Sequence, residues 1–398
     1  MSESKTSSPS GSKFDDVYEE CLNDIDEYSP HAEDNDNSGR TGLMNQGNSC
    51  YVNCVLQSLL NTPKFAFLYV LKALKPFINV KNTRGTKGAL TGCLSAVADC
   101  FWSSEYKCLD TRVFMKVFSK EVNAEFDGKN EEDAHEFQML LLDRLAEDVN
   151  RVTWPVNFAQ EYSDNASTIT AETFTRHAND YYAKQLKYSS SIVSDLFRLV
   201  ICATNNCPIC MLTRTNFEEL TNLSIGIAEG GLTVCLNKHF EPSAMERTCP
   251  KCGKQDFFRS MSIWQLPEIL IIHLKRFNFE GGETVKNDKD VDFPIYDLDM
   301  RRFLHPNSPS RSNGTVTLYS LHAIVAHSGS ATTGHYTARV KNLDSSTDVW
   351  QCFDDKDKRE LKKNEIKSNA AYMLYYHRNG MTKHITSQQM NDEKRQHG

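Results

Sequence analysis

The character of the sequence changes at Ile192. Before that residue, apolar side chains recur at intervals of three and four, which predicts amphipathic helices over residues 50–61, 90–103, 111–119 and 131–149. After it, short runs rich in Val, Ile, Tyr and Phe predict strands at LTNLSIGI, SMSIWQL, EILIIHLKRFNF, TLYSLHAIVAH, HYTARVK, DVWQCF and AAYMLYYH. A helical half followed by a strand-rich half is the pattern of an α+β protein.

Two Cys-x-x-Cys pairs lie in the strand-rich half, at CPIC and CPKC. Each pair predicts a tight turn that directs two thiolates at one ion, and two such turns supply the tetrahedral four-sulfur set that Zn²⁺ prefers. The strand-like sequence between them favours a hairpin-like extension that the metal closes at its tip. We therefore predict a structural zinc site formed by Cys207, Cys210, Cys249 and Cys252. The alternatives are metal-free thiols or a redox pair, and the neighbouring Cys202 lacks the spacing of a ligand.

A further cysteine, Cys50, follows turn residues and begins a helical pattern in GLMNQGNSCYVNCVLQSLL, residues 42–60. An Asn-Ser pair that could cap the helix precedes it. The positive end of the helix dipole and the free N–H groups there favour a thiolate, which is a nucleophile. The alternative is a buried structural cysteine. Asn45, in the preceding turn, is either an ordinary turn residue or an amide that donates a hydrogen bond to an oxyanion together with the Cys50 N–H.

A thiol nucleophile needs a base, and the chain has twelve histidines. The segments HYTARV and DVWQCF predict two strands joined by a turn at LDSS. If the hairpin is centred there, His335 lies opposite Asp354, and the carboxylate orients the imidazole. Gly334 leaves room beside them for a substrate backbone. His322 and His327, on a nearby predicted strand, are the alternative bases.

Charge and composition define the ends of the chain and its environment. The whole chain has a net charge of −7, and residues 1–40 alone carry −8. Their acidic, Ser- and Asn-rich sequence predicts a disordered tail, and residues 379–398 predict a polar C-terminal tail. The remainder is nearly neutral, which argues against nucleic acid as a partner. No apolar run could span a membrane and no secretory signal is visible. Thirteen cysteines in such a chain favour the reducing cytosol or nucleus over a disulfide framework.

Several long segments resemble one known family. GLMNQGNSCYVNCVLQSLL resembles the cysteine box of the ubiquitin-specific proteases, and LYSLHAIVAHSGSATTGHYTARV with VWQCFDD resembles their histidine box. EEDAHEFQMLLLDRL, the two Cys-x-x-Cys pairs and LPEILIIHLKRF are similar to segments between those boxes, in the family's order. The resemblance covers about residues 41–378. It implies a papain-like cysteine peptidase fold with a helical thumb (about 41–195), zinc-tipped β fingers (about 196–262) and a β palm (about 263–378).

The resemblance also implies roles for individual residues. Cys50 would be the nucleophile, His335 the base, Asp354 the orienting acid and Asn45 the oxyanion donor, with Asp355 assisting. Carboxylates at the start of the EEDAHEF helix would bind arginines of the C-terminal tail of ubiquitin, because a carboxylate accepts a bidentate pair from arginine. Without the resemblance, that segment indicates only a solvated helix start. The implied substrate-binding residues are Asp133, Glu136, Gly334 and Tyr336.

The implied activity is that of a thiol-dependent deubiquitinase that acts as a monomer on ubiquitin and ubiquitinated proteins, with structural Zn²⁺ and no organic cofactor. The alternatives are a protease for another ubiquitin-like modifier, an inactive ubiquitin-binding scaffold and a zinc-dependent interaction module. The chain departs from the family pattern at Cys54 (usually Ser), at Glu131 and Glu132 (usually Gln) and at Leu199 (commonly Gly). None of these departures removes a catalytic group, and we expect them to affect details of binding.

Overall fold

The structure is a computed structural model that describes residues 11–33, 38–153, 163–165, 171–246, 248–255, 257–312, 314–330, 333–343 and 348–380. The helices in these ranges are α1 Phe14–Tyr28, α2 Cys50–Leu60, α3 Pro63–Val70, α4 Ala89–Trp102, α5 Arg112–Glu121, α6 Ala134–Asp148, α7 Ala171–Tyr188, α8 Ile192–Phe197, α9 Leu232–Phe240 and α10 Pro309–Ser312. Short 3₁₀ turns occur at Lys75–Phe77, Arg301–Phe303 and Lys363–Glu365. Within the described ranges, every helix is too short or too polar to cross a membrane.

The strands follow mainly after α8. They are β1 Gly42–Leu43, β2 Cys108–Leu109, β3 Ser163–Asn165, β4 Leu199–Asn206, β5 Thr213–Leu220, β6 Leu223–Gly226, β7 Ser243–Met245, β8 Phe257–Gln265, β9 Ile269–Lys275, β10 Phe277–Glu280, β11 Glu283–Lys286, β12 Leu298–Asp299, β13 Leu318–Gly329, β14 Gly334–Lys341, β15 Trp350–Asp354, β16 Asp357–Leu361 and β17 Ala371–Arg378. They form a large sheet in the order β16-β15-β14-β13-β17-β9-β6, with β12 beside β13, and a second sheet in the order β3-β5-β4-β8-β7. The pairs β1–β2 and β10–β11 stand apart.

The middle strands of the large sheet are buried on both faces. Val325 and Tyr375 face the core that the helices of the first half share, whereas Ile324 and Leu374 face a second core on the opposite side of the sheet. Alternate residues therefore point into two different apolar layers. This double burial explains why β9, β13 and β17 consist of nearly continuous apolar runs.

Helix α2 is the central helix of the first half. All eleven of its residues are buried, and it packs against β14 and β13 as well as α3 and α6. A helix that is apolar around its whole circumference is stable only inside a core. The packing of α2 on β14 brings the beginning of the helix, at Cys50, close to the beginning of the strand, at Gly334.

The prediction that residues 1–40 form a disordered tail is wrong for α1. One face of this helix buries Phe14, Tyr18, Cys21 and Ile25 against α4, while the acidic residues lie mainly on the outer face. The acidic composition concealed an amphipathic pattern with a spacing of three to four residues. Residues 1–10 and 34–37 lie outside the described residues, and so do 381–398 of the predicted C-terminal tail.

The second sheet extends from the large one and carries both cysteine pairs. The pairs lie in the turns after β4 and before β8, at the same end of the sheet, because β4 and β8 are antiparallel neighbours. The chain between the pairs is not a simple hairpin, since it contains α9 as well as strands. Strands were also predicted from Ile192 onward, but Ile192–Phe197 form the helix α8. The precise limits of thumb, fingers and palm stay predictions.

Candidate active site

The turn before α2 presents Cys50 at the helix N-terminus, as predicted. Ser49 occupies the N-cap position but does not cap the helix, because its hydroxyl accepts a hydrogen bond from Gln46 N at 2.8 Å. The carboxamide oxygen of Asn45 closes the turn by accepting from Gly47 N at 3.0 Å and Ser49 N at 3.1 Å. These bonds orient the Asn45 side chain from within its own turn.

The thiol of Cys50 is 5% exposed and lies next to the backbone of Tyr336 on β14. Burial raises the pKa of Cys50, and the charges of Asp355 and Glu131 raise it further, while hydrogen bonds from the backbone of Tyr336 and Tyr51 oppose the rise. The net direction is opposite to the one expected from the helix dipole alone. Since a raised pKa keeps the thiol protonated at neutral pH, Cys50 requires a base before it can attack.

His335 and Asp354 lie side by side, although not for the reason that the sequence suggested. In the β14–β15 hairpin, Ala338 pairs with Phe353 and Lys341 with Trp350, so the predicted register is wrong by two residues. An offset of two keeps side chains on the same face of the sheet, where diagonal neighbours can meet. His335 Nε2 donates to Asp354 Oδ1 at 2.6 Å, which leaves Nδ1 as the nitrogen able to take a proton from a thiol.

The two alternative bases are buried. His322 is 1% exposed, its Nε2 lies 2.9 Å from Thr62 Oγ1, and burial lowers its pKa well below the usual range. His327 is 4% exposed, and burial lowers its pKa to about 4. The His335 side chain, in contrast, is 40% exposed and has a carboxylate partner. Exposure and an orienting partner both favour His335 as the base.

Asp355 links the turn, the helix and the end of β15. Asn45 Nδ2 donates to Asp355 Oδ2 at 2.9 Å, and Asn53 Nδ2 donates to Asp355 Oδ1 at 2.8 Å. An amide has two N–H groups, so this bond leaves Asn45 one donor for an oxyanion. Sequence reasoning missed Asn53, and the available signal was a carboxamide among the apolar residues of a helix expected to be buried.

The implied substrate-binding carboxylates lie at the start of α6. Asp133 is the N-cap residue, and its Oδ1 accepts from His135 N at 2.7 Å and from Glu136 N at 2.9 Å. Its Oδ2 accepts from the Tyr372 hydroxyl at 2.5 Å. Asp133 therefore has a structural role in addition to any contact with substrate, whereas Glu136 is exposed.

Gly334 and Tyr336 flank His335 on β14. A Cβ at Gly334 would lie 2.1 Å from His327 Nε2, so the glycine makes room for that ring rather than only for a substrate. Gly334 N donates to Glu131 Oε2 at 2.8 Å. The Tyr336 ring is buried against the rings of His327 and Tyr372, so only its backbone faces the thiol.

A cleft of about 740 Å³ opens between α6, the base of the second sheet and the large sheet. Carboxylates dominate its charged lining, which is Glu136, Asp143, Glu218, Glu219 and Lys275. His135, which lines the cleft, stacks on the ring of His273 with the ring centroids 3.8 Å apart. The cleft is therefore suited to a positively charged, extended segment.

The four cysteines of the two Cys-x-x-Cys pairs converge as predicted. The sulfur atoms of Cys207 and Cys252 are 3.7 Å apart, those of Cys210 and Cys249 are 3.5 Å apart, and all four lie within 4.8 Å of one another. A tetrahedral Zn²⁺ with Zn–S bonds of about 2.3 Å would separate its sulfurs by about 3.8 Å. The cluster therefore has the dimensions of a four-thiolate zinc site.

Both turns of the cluster have the same backbone geometry. Met211 N donates to Cys207 O at 3.0 Å, and Gly253 N donates to Cys249 O at 2.9 Å. Met211 and Gly253 each follow the second cysteine of their pair, and both have a positive φ, of 58° and 69°. The two cysteine pairs therefore form equivalent knuckles, as expected of a four-cysteine zinc site.

A thiol at a helix start, opposite a His–Asp pair on a sheet, is the arrangement of a papain-like cysteine peptidase, and the α+β fold agrees with that class. The sequence profile described as "Ubiquitin carboxyl-terminal hydrolase" matches residues 41–376. The chain therefore belongs to the ubiquitin carboxyl-terminal hydrolase family.

Individual relatives are similar over most of this chain. It is 29% identical to ubiquitin carboxyl-terminal hydrolase 2 of Homo sapiens over 348 residues, which cover 85% of this chain and 55% of the relative. It is 29% identical to ubiquitin carboxyl-terminal hydrolase 4 of Saccharomyces cerevisiae over 370 residues, which cover 85% of this chain and 39% of that protein. The chain thus spans about half the length, or less, of these relatives.

Solved structures support the fold. A structure of the SAGA Ubp8/Sgf11/Sus1/Sgf73 DUB module bound to ubiquitin aldehyde has a TM-score of 0.65 and 21% identity, covering 92% of this chain and 76% of the other. The same module with Ubp8(C146A) bound to monoubiquitin has a TM-score of 0.64 and 20% identity, covering 92% and 75%.

Proposed function

We propose that the chain is a thiol-dependent deubiquitinase that hydrolyses the (iso)peptide bond after the C-terminal glycine of ubiquitin. The observation that carries the proposal is the hydrogen bond from His335 Nε2 to Asp354 Oδ1. His335 lies on β14, and the next residue of that strand, Tyr336, contacts Cys50 through its backbone. Family membership supplies the substrate class. The ubiquitin-bound structures of similar fold support it.

The geometry supports a two-stage reaction. His335 Nδ1 takes the proton of Cys50, and the sulfur attacks the carbonyl carbon of the terminal glycine. The free amide N–H of Asn45 and the Cys50 N–H stabilise the oxyanion, and a donor of this kind contributes about 3–4 kcal/mol. His335 then returns the proton to the leaving lysine amine, and a thioester remains. Water, deprotonated by His335, hydrolyses the thioester and releases ubiquitin with a free carboxylate.

Recognition of the substrate tail is proposed for the cleft beside α6. Glu136 is exposed at its rim, and the other carboxylates of the cleft add negative charge that complements arginines in an extended tail. Asp133 lies outside the lining of this cleft and holds the start of α6 in place through its N-cap bonds. Gly334 and the backbone of Tyr336 line the path toward Cys50.

The test is a reaction of the full chain with ubiquitin whose C-terminal carboxylate is replaced by a thiol-reactive group. Intact mass should increase by one ubiquitin, and peptide mapping should place the adduct at Cys50. Cys50→Ala should abolish the adduct. Cys54→Ala is the matched control, because Cys54 lies one turn further along α2, is 3% exposed and donates its S–H to Tyr51 O.

The alternatives are outcomes of the same experiment. An adduct only with the equivalent probe of another ubiquitin-like modifier would assign the chain to that modifier. Binding of unmodified ubiquitin without any adduct would identify an inactive scaffold. An adduct that survives Cys50→Ala and disappears in Cys54→Ala would mean that the assigned nucleophile is wrong.

We propose that the four-cysteine cluster holds one structural Zn²⁺, since four thiolates leave no position for a catalytic water. Metal analysis of the purified protein should give one zinc per chain. Cys252→Ala should lose it. Cys202→Ala is the control, because Cys202 is a buried cysteine on β4 that lies outside the cluster, whereas Cys252 is half-buried within it. A metal-dependent interaction module would lose ubiquitin binding with the zinc yet be unaffected by Cys50→Ala.

We further propose that the protein works as a monomer in the cytosol and/or nucleus. All groups assigned to the reaction come from one chain, and both the nucleophile and the zinc ligands must be reduced to function. Sedimentation of the protein alone and with ubiquitin would test the first statement, and imaging of the tagged full chain would test the second.

A further inference from the structure

The turn that precedes His335 is held from both sides by opposite charges. Gly329 and Gly334 form the last pair of the β13–β14 ladder. Lys286 Nζ, on the small β10–β11 hairpin, donates to Gly329 O at 2.7 Å. Glu131 Oε2, in the segment that leads into α6, accepts from Gly334 N at 2.8 Å. Bonds to charged groups are stronger than neutral ones, so both ends of this pair are fixed.

The bond to Gly334 affects the next residues of β14. N–H groups of alternate residues in a strand point the same way, so the N–H groups of Gly334 and Tyr336 lie on the same side of β14. The first binds Glu131, and the backbone of Tyr336 hydrogen-bonds to Cys50. β14 pairs with β15 only from Ala338 onward, so Gly334 and Tyr336 have no paired residue on that strand. Glu131 thus supplies the support that a neighbouring strand would give.

We propose that Glu131 is a positioning residue, which acts through Gly334 to keep His335 and the Tyr336 N–H on Cys50, and whose negative charge is one of those that disfavour the Cys50 thiolate. The inference rests on the proposed function for its catalytic consequence, but its chemical consequence for the thiol does not. A glutamine at position 131 could make the same bond without the charge, so the two effects can be separated.

Other charged groups surround the same atoms and must be considered together. The ionisable groups around Cys50 come from α2, β14, the end of β15 and the segment before α6, and are Tyr51, Cys54, His335, Tyr336, Asp355 and Glu131. Those around the adjacent His327 are Lys286, Asp288, Asp133 and Glu131. Asp355 is bound to two amides, whereas Glu131 is exposed and its bond to Gly334 is to the backbone, so its charge can be removed with the least disturbance.

Three variants of the full, zinc-loaded chain provide the test. Glu131→Gln keeps the bond and removes the charge, and Glu131→Ala removes both. Glu125→Gln, at an exposed carboxylate in the same connecting segment, is the charge control. Each is measured for kcat and KM on a ubiquitin–fluorophore amide, for the pH dependence of Cys50 alkylation by iodoacetamide with the site read by peptide mapping, and for Tm.

The expected result has two parts. Glu131→Ala lowers kcat about threefold to tenfold with little change in KM, and Glu131→Gln restores kcat to within about twofold of the wild type. The alkylation midpoint of Glu131→Gln moves to lower pH than in the wild type, because removing a negative charge favours the thiolate. The midpoint of Glu131→Ala lies above that of Glu131→Gln, because only the alanine variant loosens the Tyr336 N–H.

Wild-type kcat in Glu131→Ala, or equal kcat losses in both variants, would overturn the positioning role. An alkylation midpoint that is the same in the wild type and Glu131→Gln would overturn the role of the charge. If the wild type does not cleave the ubiquitin substrate at all, the proposed function fails, yet the three alkylation profiles still decide between these outcomes. If Glu131→Ala alone shows a large drop in Tm, its kcat is set aside and the comparison of Glu131→Gln with the wild type decides.

Discussion

Asn53 Nδ2 lies 2.8 Å from Asp355 Oδ1, which joins the buried middle of helix α2 to the residue that follows β15. Asp355 has a φ of 53°, a left-handed conformation that is unfavourable for a residue with a side chain. Its backbone oxygen accepts from Leu43 N at 3.1 Å, and its other carboxylate oxygen binds Asn45. The strained residue is thus held by contacts with three segments, as strained residues at functional sites usually are.

Asn53→Ala should therefore reduce catalysis more than stability alone explains. The variant leaves Asp355 Oδ1 without its Asn53 donor, so the carboxylate that accepts a hydrogen bond from Asn45 is held less firmly, and kcat should fall about tenfold with KM nearly unchanged. Gln57→Ala is the matched control, because Gln57 is one turn further along α2, is equally buried and donates to Thr41 O at 2.8 Å. Both variants should lose about 1–3 kcal/mol of unfolding free energy. Equal kcat losses in the two would contradict the assignment.

The sequence predicted that His335 and Asp354 lie together, but for an incomplete reason. The hairpin between β14 and β15 was recognisable from its strand pattern, but its register was wrong by two residues because the exact centre of the turn has no strong signal. The face assignment survived, since an offset of two preserves the side on which His335 and Asp354 lie. Asn53 was not predicted, because pairing between positions 53 and 355 depends on tertiary structure that no local pattern encodes.

The fold was predicted best where apolar periodicity is strong, as in α2, α4 and β9. The prediction was least accurate where structure was assigned from the overall composition of a segment and not from its periodicity. The eleven acidic residues of the first forty obscured the buried face of α1, β4 was not predicted as a strand, and β5 was predicted only within the strand-like sequence between the cysteine pairs. β4 contains LVICATNN and β5 contains TRTNFEEL, whose polar residues obscure the pattern and which are held as strands by their cross-strand pairing.

The buried imidazole of His327 should make the protein less stable in mild acid. Its pKa is about 4 in the folded chain and about 6.5 when unfolded, so between these values only the unfolded chain binds the proton. The contribution is complete above pH 6.5 and is lost as the pH falls toward 4. By pH 5 the loss is about 2 kcal/mol. His327→Gln should flatten this part of the curve of unfolding free energy against pH, and an unchanged curve would contradict the assignment.

Helix α1 should behave as part of the core and not as a tail. Ile25→Ala removes a side chain that is 1% exposed between α1 and α4, so the free energy of unfolding should fall by about 2–5 kcal/mol. Asn23→Ala, on the exposed side of the same helix, should change it by less than about 0.5 kcal/mol. Chemical denaturation of both variants gives the comparison, and equal stabilities would mean that α1 is detached in solution.

The two cysteine knuckles allow a paired test of backbone strain. Met211 and Gly253 occupy equivalent positions at positive φ, but only methionine incurs the steric cost of a Cβ there, roughly 1–2 kcal/mol. The Met211 side chain is 69% exposed, so Met211→Gly loses little packing and should be neutral or more stable by up to about 1 kcal/mol, after the entropy of a glycine in the unfolded chain is subtracted.

Gly253→Ala should show the reverse effect. A Cβ at Gly253 would meet nothing within 4 Å, so any loss of stability reports the backbone conformation alone. We expect this variant to be about 1 kcal/mol less stable and to release Zn²⁺ to a chelator faster, while Met211→Gly releases it at the same rate or more slowly. A destabilised Met211→Gly beside an unaffected Gly253→Ala would show that the two turns are not equivalent, and that the exposed methionine has a role other than closing its knuckle.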